Sequence, residues 1–444
     1  MGLLRLLYHK CRFDIIAGQK LFAVPAVEQF YAQLLLHRKA LIYCKGSSMG
    51  FPKRLAFKIG AHILKNRIKG NKRFALVLQL EPSHLCNLSC AGCGRIREYR
   101  ATINKMLSPE ACVAAANECD APMISICGGE PLVYPHIREV VNALLGEGRV
   151  VYLCTNGILM RRMLTEYVLS IDLQNRSSKT QELIEKGLLN PDLVEAARAD
   201  NEKKPVIRPH PRFFWNVHLD GMERTHDSIV GRPGVFQECI KAIKLAKSLR
   251  YQVAINTTVY AQTDMDEIET LFDMLSKLGV DGFTISPGYD FDEAREQLLK
   301  TQGKNPDEFF LTRELTRHKF AGILNMAKKY NIFHTWTYLE FLAGKRDLRC
   351  TPWAIPTYNV AGWKAPCYLI TDTHYPSFNE MLQRVNWDAY GVVNGHAQDK
   401  RCKNCMAHCG YDPTGALGIG CTLWDAFKNL KFALKQPRNQ KYSD

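Results

Sequence analysis

The stretch Phe74-Ala75-Leu76-Val77-Leu78-Gln79-Leu80, and after a short gap Cys86-Asn87-Leu88-Ser89-Cys90-Ala91-Gly92-Cys93, decides the reading of this chain. The first run is apolar and has the length of a buried strand. The second places three thiols at C-x3-C-x2-C spacing in the loop that follows. Three thiolates this close can bind three irons of a cubane cluster. The loop supplies no fourth ligand, so one iron stays open to a small molecule. The same thiols could form a zinc knuckle, although zinc sites more often pair C-x2-C with a second, distant pair.

Outward from that loop the chain alternates strands and helices. Strand-like runs fall at Phe74–Glu81, Pro122–Cys127, Arg149–Thr155, Phe213–Asp220, Gln252–Val259 and Asp281–Pro287. Helices are expected at Ser108–Cys119, with Ser108 as N-cap and Pro109 at N1, and at His136–Leu145, Phe236–Leu249 and Asp264–Leu278. This is the pattern of a βα barrel, which keeps its active site at the C-terminal ends of its strands. Those ends carry Gly128-Gly129-Glu130, Cys154-Thr155-Asn156-Gly157, His218-Leu219-Asp220, Asn256 on the fifth strand, and Ser286-Pro287-Gly288-Tyr289. Two glycines let a backbone approach a ligand closely, and a carboxylate beside them can bind an ammonium group. His218 or Asn256 could equally satisfy backbone at a strand end, and Cys154 could be a small packing residue.

The expected organisation is a basic helical extension over 1–73, a barrel over 74–290, a cysteine-rich domain over 291–423 and a frayed basic tail over 424–444. Roughly 172–207 forms an insertion after the third strand, with short helices at Lys179–Leu189 and Pro191–Asn201. Residues 305–330 are expected to be largely helical. The second domain carries Cys350-x11-Gly362-x4-Cys367, then Cys402-x2-Cys405 and Cys409. Cys350, Cys367, Cys402 and Cys405 make the best four-ligand set, with Cys409 as a substitute; zinc is the alternative occupant.

Sixteen cysteines without a signal peptide point to a reducing compartment and metal ligation. No apolar run reaches the roughly 18 residues of a membrane span, so a cytoplasmic chain is expected. Of the formal net charge of +15, the first 73 residues hold 15 Lys and Arg against Asp14 and Glu28, a local +13. Residues 51–69 read as an amphipathic helix with apolar positions at 55, 59, 63 and 68 and cations between them. That pattern suits an anionic membrane surface, giving a peripheral seat on the inner membrane face. Nucleic acid is the rival partner and is not expected, because no aromatic-rich RNA motif accompanies the charges.

The C-x3-C-x2-C loop, the Gly-Gly-Glu one unit later and the Thr-Asn-Gly after the third strand together resemble the radical S-adenosylmethionine (SAM) superfamily. The resemblance implies an α/β fold, a partial (β/α)6 TIM-type barrel. It implies a 4Fe-4S cluster on Cys86, Cys90 and Cys93, and SAM held through Gly128, Gly129 and Glu130. Asn156, His218, Asp220, Asn256 and Ser286 are then further cofactor-binding candidates. The later cysteines resemble the SPASM and twitch extensions, which bind an auxiliary 4Fe-4S cluster.

Longer phrases are similar to the adenosylhopane synthases of hopanoid biosynthesis. They include Tyr152-Leu153-Cys154-Thr155-Asn156, Val217-His218-Leu219-Asp220-Gly221, Cys350-Thr351-Pro352-Trp353 and Cys405-Met406-Ala407-His408-Cys409-Gly410-Tyr411. That resemblance implies addition of the 5′-deoxyadenosyl group to the alkene of an apolar terpenoid lipid, with Cys154 as hydrogen donor. It also implies an electron donor such as flavodoxin or ferredoxin. Cys127 departs from the family, as do the first 50 residues and the 172–207 insertion, which falls next to the third strand, close to Cys154, and could reshape the pocket. A SPASM-type peptide- or protein-modifying enzyme is the alternative, and a non-catalytic metal protein that binds nucleic acid is a third.

Overall fold

The computed structural model describes residues 51–175, 178–199, 205–288 and 290–435. Expectations for the first 50 residues and for 436–444 lie outside these. All described residues belong to one compact unit.

Six parallel strands form the frame: β1 Val77–Glu81, β2 Met123–Ile126, β3 Val150–Thr155, β4 Phe213–His218, β5 Gln252–Val259 and β6 Gly282–Pro287. Each pairs with the next in sequence order. Beyond β1 the sheet continues through β7 Thr357–Asn359, β8 Gly362–Pro366 and β9 Thr371–Tyr375. It is therefore a nine-stranded open sheet, not closed into a barrel. The cysteine-rich segment expected as a separate domain supplies the strand beside β1. At the opposite edge, Phe283 N–H donates to Asn331 O (2.9 Å) and Phe333 N–H to Phe283 O (2.8 Å). That segment covers β6 without adding a strand.

Strand alternation separates two layers. Leu78, Leu80, Ile124, Ile126, Val151, Leu153, Phe213, Trp215, Val217, Val253, Ile255 and Ile285 face the outer helices in one continuous core. The opposite face begins at the strand starts with Met123, Val150, Tyr152, Phe214 and Ala254 packed with Phe333. Above that apolar floor the same face turns polar: Ser125, Cys154, Asn216, Asn256 and Thr284. Most of these are half-buried, whereas the outer residues are fully covered.

Helices α1 Phe51–Ile68, α2 Pro109–Cys119, α3 Ile137–Gly146, α4 Met160–Asn175, α5 Lys179–Glu185, α6 Pro191–Ala199, α7 Val235–Ser248 and α8 Met265–Lys277 belong to this frame. Ser108 caps α2 by accepting from Ala111 N–H (3.2 Å), and Asp264 caps α8 through Asp266 N–H (2.9 Å). The middle of α1 packs on protein: Ile63 is 1% exposed and His62 Nε2 lies 2.9 Å from Ala75 O. Burying Ile63 contributes about 1.5–3 kcal/mol, so the middle of the expected lipid-facing side is taken up by protein, whereas Ile68 at its end is 77% exposed.

The insertion is also packed. Leu183, Leu189, Val194 and Ile207 enter the outer core, and the Asp172 carboxylate accepts from the N–H of Lys179 (2.8 Å) and Thr180 (2.9 Å). These side chains lie with the outer layer, whereas Cys154 faces the inner side of the sheet, so among the described residues none of these contacts is to Cys154. After β6 come α9 Asp292–Gln302 and then short helices at Pro306–Phe309, Arg313–Lys319 and Ile323–Lys329, so that 305–330 is largely helical as expected. Then follow α10 His408–Leu417 and α11 Leu423–Lys435. The tail expected to fray from Trp424 is thus helical to Lys435. Asp425 fixes it through Arg346 (2.6 Å) and Asn429 through Thr337 N–H (3.0 Å).

Candidate active site

Glu81 ends β1, and the loop that follows is held from several sides. Gly129 N–H donates to Ser83 O (3.0 Å) and Glu130 N–H to Leu85 O (2.8 Å). Asn156 Nδ2 donates to Asn87 Oδ1 (2.7 Å), Gln297 Nε2 to Ser89 Oγ (2.7 Å), and Ala91 N–H to Ile229 O (2.8 Å). Gly92 lies under Tyr260 and Gly94 under Phe291; a Cβ would stand 2.2 Å from the Tyr260 hydroxyl oxygen at the first and 2.6 Å from the Phe291 ring at the second. The phrase Ala-Gly-Cys-Gly is therefore what lets aromatic side chains roof the loop.

Cys86, Cys90 and Cys93 are half-buried in this loop. Burial pushes the Cys86 thiol up to about 12, and burial with the nearby charges of Cys93 and Cys86 pushes Cys90 well above its usual range. Such thiols ionise only when a cationic group binds and offsets the cost. Among the described residues no three His, Cys, Asp or Glu side chains converge to hold a single metal ion. A cluster spreads its thiolates more widely than one ion does, and the three thiols fit that donor set.

The Gly-Gly-Glu motif serves this loop. Gly128 has φ +111°, and a Cβ there would lie 2.4 Å from Ser83 O; at Gly129 it would lie 2.0 Å from Leu85 O. The close approach that these glycines allow is to the cysteine loop's own backbone. The Glu130 side chain is likewise turned into the protein. It accepts from Thr155 Oγ1 (2.8 Å), Leu132 N–H (3.0 Å) and Asn156 N–H (2.8 Å), and burial raises it to about 7. What Gly128-Gly129-Glu130 leaves toward a ligand is backbone, not a free carboxylate.

The other candidates divide. His218 and Asn256 are half-buried on the polar inner face, with Asn256 Oδ1 accepting from Thr284 Oγ1 (3.1 Å). Against burial, the Asp220 carboxylate 2.7 Å away holds the His218 imidazole above its usual range. Asp220 itself is fully buried and accepts from Thr258 N–H (2.7 Å), so it orients His218. Ser286 Oγ lies 2.6 Å from His408 Nδ1, an engagement the sequence did not reveal. Cys154 is half-buried beside Ser125 Oγ (3.4 Å) and accepts from Asn216 Nδ2 (3.3 Å). Burial raises its pKa, so it stays a neutral S–H at neutral pH.

The second group forms as well. Burial raises the Cys350 thiol, and the nearby charges of Cys405, Cys367, Cys409 and Cys402 add to the shift, which brings all five within electrostatic reach. Gly410 and Gly391 pack on Cys350, and Ile370 N–H donates to Cys367 Sγ (3.3 Å). Five thiols are one more than a four-iron cluster needs.

Between the two groups lies a buried ion network that sequence reading missed. Arg95, two residues after Cys93, stacks on the Tyr368 ring (3.9 Å), donates to Tyr368 O and Glu98, and lies 3.4 Å from Glu81. Lys364 Nζ, fully buried, donates to Glu98 (2.6 Å) and to Tyr368 O (2.7 Å). Burial works against ionised Glu81, yet Arg95, His84 and Lys364 hold it down at about 2. The one available signal was a lysine inside the short apolar strand Gly362–Pro366.

Residues 80–207 match the model of the radical SAM superfamily, and 283–429 match a domain of unknown function, DUF3463. Residues 80–207 form a radical SAM domain. The AdoMet-dependent heme synthase of Methanosarcina barkeri is 25% identical over 197 residues, covering 44% of this chain and 45% of that protein. The antilisterial bacteriocin subtilosin biosynthesis protein AlbA of Bacillus subtilis is 25% identical over 259 residues, 55% of this chain and 47% of that one. The chain spans about half the length of the curated relatives it matches. Among solved structures, Streptococcus suis SuiB bound to precursor peptide SuiA gives a TM-score of 0.46 at 13% identity, covering 94% of this chain and 87% of that one. Native anSMEcpe with bound AdoMet and Cp18Cys peptide also gives 0.46 at 13%, covering 81% and 96%.

The cofactors of a radical SAM domain are a 4Fe-4S cluster and SAM. Within the stretch that matches the superfamily, Cys86, Cys90 and Cys93 would hold the first cluster. Cys350, Cys367, Cys402, Cys405 and Cys409 hold the donors for a second. No helix among the described residues is long and apolar enough to cross a membrane.

Proposed function

We propose that this radical SAM enzyme joins the 5′-deoxyadenosyl group to the alkene of an apolar, terpenoid-type lipid and that Cys154 completes the reaction. The observation that carries the reading is the neutral, half-buried Cys154 thiol on the polar inner face, held by Ser125 and Asn216. When bound, the reduced cluster and SAM together supply the 5′-deoxyadenosyl radical. Addition to an alkene forms a carbon–carbon bond and leaves a substrate carbon radical that needs one hydrogen atom. A thiol S–H bond is weaker than a tertiary C–H bond, so transfer from Cys154 to carbon runs downhill. Burial keeps that hydrogen on sulfur, and Asn216 and Ser125 fix the direction of the S–H. The apolar floor of Met123, Val150, Tyr152, Phe214 and Ala254 closes the site from below. The cysteinyl radical left behind is returned to thiol by one electron and one proton, the electron from a small redox protein such as flavodoxin or ferredoxin.

The test is product analysis in deuterium oxide, where the thiol hydrogen exchanges. Wild type places one deuterium at the quenched carbon. Cys154→Ala and Cys154→Ser still consume SAM and attach the adenosyl group, but give unsaturated or stereochemically mixed adducts. Unchanged product without deuterium overturns the assignment.

The similarity to AlbA over 259 residues favours a second reading, a peptide-modifying enzyme that abstracts hydrogen. It releases free 5′-deoxyadenosine and no adenosyl adduct, so the same product analysis separates the two.

A further inference from the structure

Nine large apolar side chains are exposed among the described residues, and four of them lie on α11: Leu423 (48%), Trp424 (61%), Phe427 (41%) and Leu434 (39%). No other element carries more than one. At helical spacing 423, 427 and 434 fall in one narrow stripe, flanked by Trp424 and the exposed Lys431. The Trp424 and Phe427 rings stack at 5.2 Å, which makes one flat aromatic plate. The other side of the helix is anchored: Asp425 on Arg346, Asn429 on Thr337, and Phe432 against Trp336 at 5.3 Å. The apolar stripe is thus not a docking side that lost its place.

The charge around the stripe has one sign. Asp425, the helix's single acid, is 4% exposed and turned inward. Helix α1 packs beside α11, and Arg67 near its end donates to Leu417 O (2.5 Å), at the end of α10 and six residues before α11 begins. That contact brings the exposed Lys69, Lys72 and Arg73 to the same end of α11, together with Ile68, 77% exposed. The four α11 side chains leave on the order of 400 Å² of apolar surface, about half of what one partner gives to a stable protein complex. Partial insertion at a headgroup boundary needs no more than that.

We infer that the outer face of α11, with the basic end of α1, is a docking surface for an anionic lipid bilayer. Leu423, Trp424, Phe427 and Leu434 enter the headgroup layer, and Lys431 with Lys69, Lys72 and Arg73 meets the anionic headgroups. The inference stands apart from the reading of Cys154, because it is tested without turnover.

The full-length protein is co-sedimented with vesicles of phosphatidylcholine alone and of phosphatidylcholine with phosphatidylglycerol, at low and high salt. Wild type is expected to bind the anionic vesicles at least tenfold better, to lose most of that preference in high salt, and to show blue-shifted tryptophan emission on binding. The Trp424→Ser/Phe427→Ser double variant is expected to lose at least tenfold in binding while keeping its circular dichroism, since both side chains are exposed. Lys431→Glu is expected to weaken binding to the anionic vesicles alone. Undiminished binding by the double variant overturns the inference, as does failure of wild type to bind. A wild-type dimer that becomes monomeric in the double variant overturns it too, since the face would then be an interface between copies.

Discussion

Substituting Gly129 by Ala separates two purposes for the Gly-Gly-Glu motif. If the glycine clears space for a ligand, the ligand-free protein tolerates a methyl group and loses only SAM affinity. The geometry argues otherwise, because the new Cβ would stand 2.0 Å from Leu85 O and 2.5 Å from His84 O, both backbone atoms. An ordinary contact requires the two segments to part by more than about 1 Å. That opening stretches the bonds from Gly129 N–H to Ser83 O and from Glu130 N–H to Leu85 O beyond useful length. Two buried backbone bonds at about 1 kcal/mol each, with the desolvation of the groups left unpaired, give a loss of about 2–4 kcal/mol. The cysteine loop moves with Leu85, one residue before Cys86. Urea unfolding of the iron-free protein measures the first effect, and iron bound after anaerobic reconstitution the second. A ligand-free Gly129→Ala protein within about 0.5 kcal/mol of wild type would refute the reasoning.

Arg95→Met is expected to destabilise the protein by about 3–5 kcal/mol in chemical denaturation, because it strands the Glu81 and Glu98 carboxylates in the interior. Adding Glu81→Gln should restore part of the loss; a double variant worse by the full sum would show that the two residues do not interact. Burial, helped by the nearby His218 charge, lowers His226 to about 4. Its depressed folded pKa means that stability is present above the unfolded value and lost as pH falls from about 6.5 toward 4, with about 2 kcal/mol gone between pH 7 and 5. His218, shifted the other way, offsets part of this loss. His226→Asn, whose Oδ1 can still accept from Asp220 N–H, should flatten the decline measured by urea midpoints at the two pH values.

What the sequence made legible was local. The β5 limits at Gln252 and Val259, the Ser108 and Asp264 caps and the cysteine loops rest on alternation, cap chemistry and spacing within a few residues. The rest depended on partners far along the chain. Lys364 reads as an ordinary surface cation until Glu98, 266 residues away, is seen to hold it. Gly128 and Gly129 look like ligand-facing glycines because the loop they touch lies more than 40 residues earlier. The end of the chain looked frayed because its lysines are local, whereas its anchors, Arg346 and Thr337, belong to a different part of the fold.

The pairing of β1 with β7 places a constraint on biosynthesis. Gln79 and Thr357, side by side in the sheet, are separated by 278 residues. At about 5–20 residues per second, a ribosome needs roughly 15–55 s to deliver the second after the first. Throughout that interval the strand leading into Cys86 has one unpaired edge, the kind of template on which strands of other chains add. A fragment ending near residue 290 keeps that edge permanently. Residues 77–290 are therefore a poor unit to express alone, because their sheet needs β7 to cover the edge of β1.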